Sequence, residues 1–169
     1  GDIDLKPNTR SYSEVIFAYS KKGDALKCMK LLHRMEELYL NELQVKPNVY
    51  SYTLTISALA SAGEAKKAEQ ILQRMIKVSS RGDRLGDGKS VNRDATPNEK
   101  TFFIVISAWA KVGKPEYAQR VLDLMEHIYQ KDEIYPRPNI LCYNAVLNAW
   151  AKHGRANKAL KIVSRMESL

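Results

Sequence analysis

The chain has 169 residues, enough for one ordinary domain, and carries 27 Lys and Arg against 19 Asp and Glu, a net charge of +8. That balance favours an acidic partner such as nucleic acid. Two cysteines without partner spacing, Cys28 and Cys142, exclude a disulfide or cysteine-metal framework, and the lack of a long unbroken apolar run excludes a membrane-spanning helix.

One pattern is written four times. Pro-Asn is followed by an aromatic five residues after the proline, a Gly eleven later and a Met twelve after that. The copies are Pro7-Tyr12-Gly23-Met35, Pro47-Tyr52-Gly63-Met75, Pro97-Phe102-Gly113-Met125 and Pro138-Tyr143-Gly154-Met166. Only the Met-to-Pro stretch varies, at 12, 22 and 13 residues. A period of this size specifies an array of stacked units and directs attention to a surface made by repetition.

Residues 1–8 read as the end of a preceding repeat or a linker. Repeat 1 spans 9–48. Its first helix carries Tyr12, Ile16 and Tyr19 at i, i+4 and i+7, and its second carries Cys28, Leu31, Leu32 and Met35. The run from Glu36 to Leu43 extends that second helix. Repeat 2, 49–98, has Tyr52, Ile56 and Leu59, then Ala68, Ile71, Leu72 and Met75. The stretch from Ser79 to Thr96 is rich in Ser, Gly, Asp and Arg without periodicity, which predicts a mobile or partner-ordered inserted loop at 79–96. Repeat 3, 99–139, has Phe102, Ile106 and Trp109, then Ala118, Val121, Leu122 and Met125, continued by Leu124, Ile128 and Tyr129. Repeat 4, 140–169 and incomplete, has Tyr143, Leu147 and Trp150, then Ala159, Ile162, Val163 and Met166.

In each unit the Gly stands where a first helix must end on a left-handed residue, and the Asn after each proline is a good helix start. Ala18, Ala58, Ala108 and Ala149 leave room for a close neighbouring helix. One hairpin cannot bury both faces, whereas four stacked hairpins can. With no strand signal, the expected fold is an all-α open solenoid of four helix-turn-helix repeats with lengthened inter-repeat segments. Gly1 in place of Met, and a last repeat that stops just after its Met, predict a segment of a longer array.

No catalytic constellation is legible. His33, His127 and His153 are scattered on helices, Gly82 to Lys89 lacks phosphate-loop spacing and a preceding strand, and no zinc-deaminase signature occurs. The chain reads as a non-enzyme without cofactor or metal. Its charge is layered: the first helices carry Arg10, Lys21, Lys100, Lys111 and Lys152 against Glu14 and Glu99. Most acids, among them Glu36, Glu37, Glu42, Asp123, Glu126, Asp132 and Glu133, fall in the second helices and the segments after them.

The Pro-Asn-x-x-x-aromatic start, the Ala149-to-Ala159 type of core and the closing Leu/Ile-Leu/Val-x-x-Met closely resemble the pentatricopeptide repeat family over residues 7–169. Val49 to Ile56 and Ile140 to Leu147 look most like its first helix. The related tetratricopeptide repeat usually carries a Trp-Leu-Gly-Tyr pattern that is missing here. The resemblance implies a right-handed superhelix that binds single-stranded RNA in a mitochondrion or chloroplast, one base per repeat on the concave face of the first helices. It implies base-reading pairs Ser13 with Asn48, Thr53 with Asn98 and Phe103 with Asn139, with Asn144 as a fourth reader. The first two pairs resemble adenine readers and Asn144 a pyrimidine reader, giving an A-A-x-pyrimidine core, 5′ to 3′ along the repeats. Phe103 departs from the code because it cannot hydrogen-bond a base edge. Base-sandwiching positions are Arg10, Tyr50, Lys100 and Leu141, and phosphate-contacting positions are Lys21, Lys111 and Lys152, a series broken by Ser61. Repeats of this length also resemble members that act as structural subunits of large organellar assemblies such as ribosomes, contacting ribosomal proteins or rRNA.

Overall fold

The computed structural model describes residues 6–41, 45–80 and 91–168. Among them are eight α-helices and no strand: α1 (Thr9–Lys22), α2 (Ala25–Leu40), α3 (Val49–Ser61), α4 (Ala65–Ser80), α5 (Glu99–Lys111), α6 (Pro115–Lys131), α7 (Ile140–Lys152) and α8 (Ala156–Glu167).

The punctuation residues set the boundaries. Asn8, Asn48 and Asn98 each accept a hydrogen bond from a backbone N–H three residues on, and the hydroxyls of Ser11, Ser51 and Thr101 close a reciprocal capping box. Asn139 accepts from both Leu141 and Cys142, whose thiol leaves that box open. At the other end, Gly23, Gly63, Gly113 and Gly154 have φ between 65° and 78°. The residue after each glycine donates to the third stripe residue of the first helix: Asp24 to Tyr19, Glu64 to Leu59, Lys114 to Trp109 and Arg155 to Trp150. This is a Schellman closure, and the left-handed conformation it demands is unfavourable for any side chain with a Cβ.

The helices pack in two layers. Successive first helices, α1, α3, α5 and α7, touch one another directly, and each of the later three also packs on the preceding second helix. No Cα of α2 comes within 8 Å of α4, nor α4 of α6, nor α6 of α8. A stack of two-layer units bends toward its more closely spaced layer, so the first helices line the inner face of an α-solenoid. Between the layers Tyr52, Ile56, Phe102, Ile106, Leu32, Leu72, Leu122, Met35, Met75 and Met125 are all at 1 % exposure or less. Ala58, Ala108 and Ala149 are buried where helices approach closely.

The loop expected to be mobile or partner-ordered over 79–96 is packed at both ends. Ser79 and Ser80 belong to α4, and residues 91–96 pack against the body through a 3-10 turn at Arg93–Ala95. Asn92 is buried: its backbone N–H donates to Val78 and its carboxamide donates to the Pro47 carbonyl at 2.7 Å. Ala95 is fully buried, as Val45 and Tyr135 nearly are in the neighbouring connections, and the Tyr135 hydroxyl lies 3.3 Å from that of Ser79. These single anchors are aperiodic, so composition alone reads them as loop. The remainder of the loop, 81–90, with the stretch Gly82 to Lys89, lies outside the described residues, as do Glu42 and Leu43 of the predicted α2 extension, residues 1–5 of the leading segment and Leu169.

Candidate nucleic-acid interface

Arg10, Tyr50, Lys100 and Leu141 are each the second residue of their first helix, and all four are exposed. The expected readers Ser13, Thr53, Phe103 and Asn144 follow three positions later, and Lys21, Lys111 and Lys152 eleven positions later. Offsets of three and eleven return to nearly the same side of a helix, about one and three turns along. The four inner helices thus present parallel stripes that begin at the sandwiching residues and end at the lysines, roughly 16 Å apart along each helix. Offset seven falls on the same stripe and adds Phe17, Ser57, Ser107 and Asn148, a row whose chemistry does not repeat.

The reader positions differ sharply. Asn144 is exposed and Thr53 is half-buried. Thr53 Oγ1 lies 3.0 Å from Thr101 Oγ1, which in turn donates to Asn98 Oδ1 at 2.9 Å. Thr53 and Asn98, the expected pair, are therefore joined through one intervening hydroxyl contributed by the next repeat. Ser13 is 4 % exposed and its hydroxyl has no partner among the described residues. The hydroxyl of Ser13, expected to read a base together with Asn48, is thus covered in the folded chain. Phe103 packs half-buried against the core. Its expected partner Asn139 spends its oxygen on the α7 cap and one amide hydrogen on Glu99, at 2.8 Å, which leaves that pair a single uncommitted amide hydrogen.

Electrostatics favour an anion on the same face. Four carboxylates of the outer layer are tied up in pairs: Glu36 with Arg74, Glu69 with Arg120, and Asp123 and Glu126 with Arg165. No carboxylate of the described residues pairs with Arg10, Lys21, Lys100, Lys111 or Lys152. The Lys21 ammonium lies 5.4 Å above the Phe17 ring, which orients it without neutralising it. The two thiols are inert. Burial pushes Cys28 and Cys142 up to about 11, so both stay protonated at neutral pH. Among the described residues no cluster of His, Cys, Asp and Glu could hold a metal.

Side chains outside the apolar periodicity link successive repeats. Glu36 on α2 accepts from the Tyr52 hydroxyl at 2.8 Å and pairs with Arg74 on α4. Glu126 on α6 repeats this with Tyr143 and Arg165. Between repeats 2 and 3 the same three places hold Ile76, Phe102 and Leu124. There the charged link lies at the other end of the first helix, where the seam between repeats 3 and 4 has the neutral Trp150–Gln119 hydrogen bond. Glu69, 4 % exposed, accepts from the Trp109 indole N–H at 2.7 Å and from Arg120 at 2.8 Å. A spacing signal was available: at two seams a Glu directly after one Met is matched by an Arg directly before the next Met, and both are missing at the seam whose aromatic is Phe102.

Profiles of the pentatricopeptide repeat domain match residues 38–80, and those of the PPR repeat match residues 10–40, 104–128 and 141–169. No curated protein matches the chain. Among solved structures, the pentatricopeptide repeat protein PPR10 from maize superposes with a TM-score of 0.70 at 19% identity, over 98% of this chain and 20% of that one. PPR10 in complex with an 18-nucleotide psaJ RNA element superposes with a TM-score of 0.63, also at 19% identity, over 97% and 20%. The chain thus spans about a fifth of the length of these structures.

Proposed function

This chain belongs to the pentatricopeptide repeat family, and we propose that it binds single-stranded RNA along the inner face of α1, α3, α5 and α7. The observation that carries this reading is the coincidence, on one face, of unpaired cations with the Thr53–Thr101–Asn98 chain. Hydroxyls and amides of this size can meet the Watson–Crick edge of an unstacked base. Tyr50 and Arg10 would stack on bases, and Lys21, Lys111 and Lys152 would hold phosphates. The burial of Ser13 and the engagement of Asn139 narrow the expected A-A-x-pyrimidine core to its second and fourth positions, adenine at Thr53 with Asn98 and pyrimidine at Asn144. The role fits post-transcriptional processing, stability or translation of RNA in a mitochondrion or chloroplast. The PPR10–RNA complex supports the class of ligand.

The test is a salt-titrated selection from a random single-stranded RNA pool with sequencing of the bound fraction. Enrichment of adenine two positions before a pyrimidine, shifted by Thr53→Asn, is the expected result. Binding that falls steeply with salt and enriches nothing would reduce the face to a basic surface.

One observation favours a second reading, a structural subunit of a large organellar assembly such as a ribosome. Repeat 3 has Phe103 and an Asn139 held by Glu99 at its code positions, and the described parts of the connections around it, at Asn92, Ala95 and Tyr135, are buried. Co-sedimentation with ribosomal particles at high salt would support that reading.

A further inference from the structure

We propose that Thr101, which belongs to repeat 3, decides what repeat 2 reads. It leaves Thr53 able only to accept a hydrogen bond and Asn98 able only to donate one. The pair then takes a base with an amino group on its Watson–Crick edge and refuses one with a carbonyl there. This rests on the reading of Thr53 and Asn98 as a base-facing pair, and it adds the residue that gives the pair its polarity. Thr101 is fully buried and touches no ligand itself, so it is a positioning residue.

A threonine hydroxyl has one hydrogen and two lone pairs, and all three are committed at Thr101. The hydrogen goes to Asn98 Oδ1 at 2.9 Å, because a carboxamide oxygen only accepts. One lone pair accepts from the Asn98 backbone N–H at 3.4 Å. The other faces the Thr53 hydroxyl at 3.0 Å. Thr101 has no second hydrogen to give, so Thr53 is the donor in that contact and its single hydrogen is spent. Half-buried Thr53 keeps only lone pairs for a ligand. Asn98 Oδ1 accepts from both the backbone N–H and the hydroxyl of Thr101, which fills its two lone pairs. The exposed Asn98 side chain keeps the two hydrogens of Nδ2, which meet no acceptor among the described residues.

A base that meets both groups must give a hydrogen to Thr53 and accept one from Asn98. Adenine does so with its 6-amino group on Thr53 and its N1 on Asn98. The reverse placement is closed to it, since Thr53 has no hydrogen for N1 and Asn98 Oδ1 no lone pair for the amino group. Guanine in adenine's place sets O6 against the Thr53 oxygen and N1–H against the Asn98 hydrogens, two repulsive contacts in place of two hydrogen bonds. Cytosine shares adenine's order on a smaller ring, and uracil shares guanine's. The neighbouring seams lack this polarity. In the seam between repeats 1 and 2, Ser51 holds the place of Thr101, but its hydroxyl donates to the Asn48 backbone carbonyl at 2.9 Å and leaves Ser13 without a partner. In the seam between repeats 3 and 4 the place is Cys142, and Phe103 has no hydroxyl to orient.

Fluorescence anisotropy with two RNA oligonucleotides that differ only in the base opposite repeat 2, adenine or guanine, tests this. On wild type, adenine is expected to bind at least about tenfold more tightly. Thr101→Val replaces the hydroxyl by a methyl of similar shape and keeps the backbone N–H that Asn98 caps. It frees the Thr53 hydrogen, and the adenine-to-guanine ratio is expected to fall at least about threefold. A loss of stability lowers both affinities by one factor and leaves the ratio unchanged, so the ratio reports polarity and not folding. Thr101→Ser keeps the hydroxyl and is expected to keep the ratio. Purine in place of adenine removes only the 6-amino group, and on the unaltered protein it is expected to cost about tenfold. Equal binding of adenine and guanine by wild type overturns base reading by Thr53 and Asn98 and this proposal with it. An adenine preference that survives Thr101→Val, or that Thr101→Ser loses, overturns the role of Thr101 alone, as does purine that binds as tightly as adenine.

Discussion

The seam between repeats 2 and 3 and the seam between repeats 3 and 4 each pack a first helix on both helices of the preceding repeat, and they differ in their polar groups. On the inner side, the first seam joins Thr53 to Asn98 through Thr101. The second has Phe103, Cys142 and an Asn139 held by Glu99. Farther out, the first seam is apolar at Ile76, Phe102 and Leu124, while the second carries Glu126, Tyr143 and Arg165. Each seam keeps at least one charged link across the repeats, at Glu69 or at Glu126, but not in the same place. Apolar burial holds the stack in both cases, and the polar links fix register within it. Because register can be pinned from either place, the inner side is free to differ between repeats, and the potential for base reading differs with it.

The largest expected effect comes from moving one seam toward the other. Glu126→Ile alone should destabilise the fold by about 2–3 kcal/mol, because the Tyr143 hydroxyl and Arg165 lose a largely buried acceptor. Adding Tyr143→Phe and Arg165→Leu reproduces the neighbouring seam and should bring stability back to within about 1 kcal/mol of wild type. Urea unfolding of the single and triple variants measures both. If the triple variant is no more stable than the single one, the two seams are not equivalent in backbone and the comparison breaks.

Much of this was legible in the sequence, and what was missed has a physical cause. The four glycines, the four Asn caps and the two apolar stripes dictate the hairpins, because each acts within a few residues along the chain. The links at Glu36, Glu69 and Glu126 join residues 16 to 51 positions apart, and hydrophobic periodicity does not report on them. Ser13 has the residue type of a reader, and only packing reveals that its hydroxyl is covered. The anchors Asn92, Ala95 and Tyr135 are single residues in aperiodic segments. The candidate interface was legible as a set of positions, and which of them are open required the fold.

The inner side gives the next effect in size. Phe103→Thr together with Glu99→Val would give repeat 3 the residues that repeat 2 has at those places, Thr53 and Val49. RNA affinity is expected to rise by about tenfold for a pool with adenine fixed opposite repeat 3, as one base edge gains hydrogen bonds in place of an unmatched ring. Filter binding against the same pool with a pyrimidine fixed there is the control. Equal gains on both pools would mean a general rise in affinity without reading. Lys111→Ala should cost less, a few-fold in affinity at low salt, equally for every sequence. Its signature is a salt slope shallower by about 0.7, the release of one counterion from a single strand. An unchanged slope would remove Lys111 from the phosphate row.

The smallest effect separates the seams by a single atom type. Cys142 occupies the place that Thr101 holds in the preceding repeat, and burial raises its thiol from 9.0 to about 11. Between those values the unfolded chain loses a proton that the folded chain retains, so stability falls as pH rises. The contribution is fully present below pH 9 and is lost as the pH rises through about 11. Cys28 adds a second term of the same sign over the same window. Burial also raises Tyr52 and Tyr143 above their ordinary 10.0, which extends the loss to higher pH. Cys142→Thr should leave the melting temperature at pH 7 within a few degrees of wild type and lessen, without abolishing, its decline between pH 9 and 11. It also restores the hydroxyl that completes the capping box with Asn139, as Thr101 does with Asn98. Melting curves at intervals from pH 7 to 11 decide the matter. If Cys142→Thr declines as steeply as wild type, the buried thiol is not what makes the later seam sensitive to alkali, and Tyr143, whose hydroxyl donates to Glu126 in that seam, becomes the group to change next.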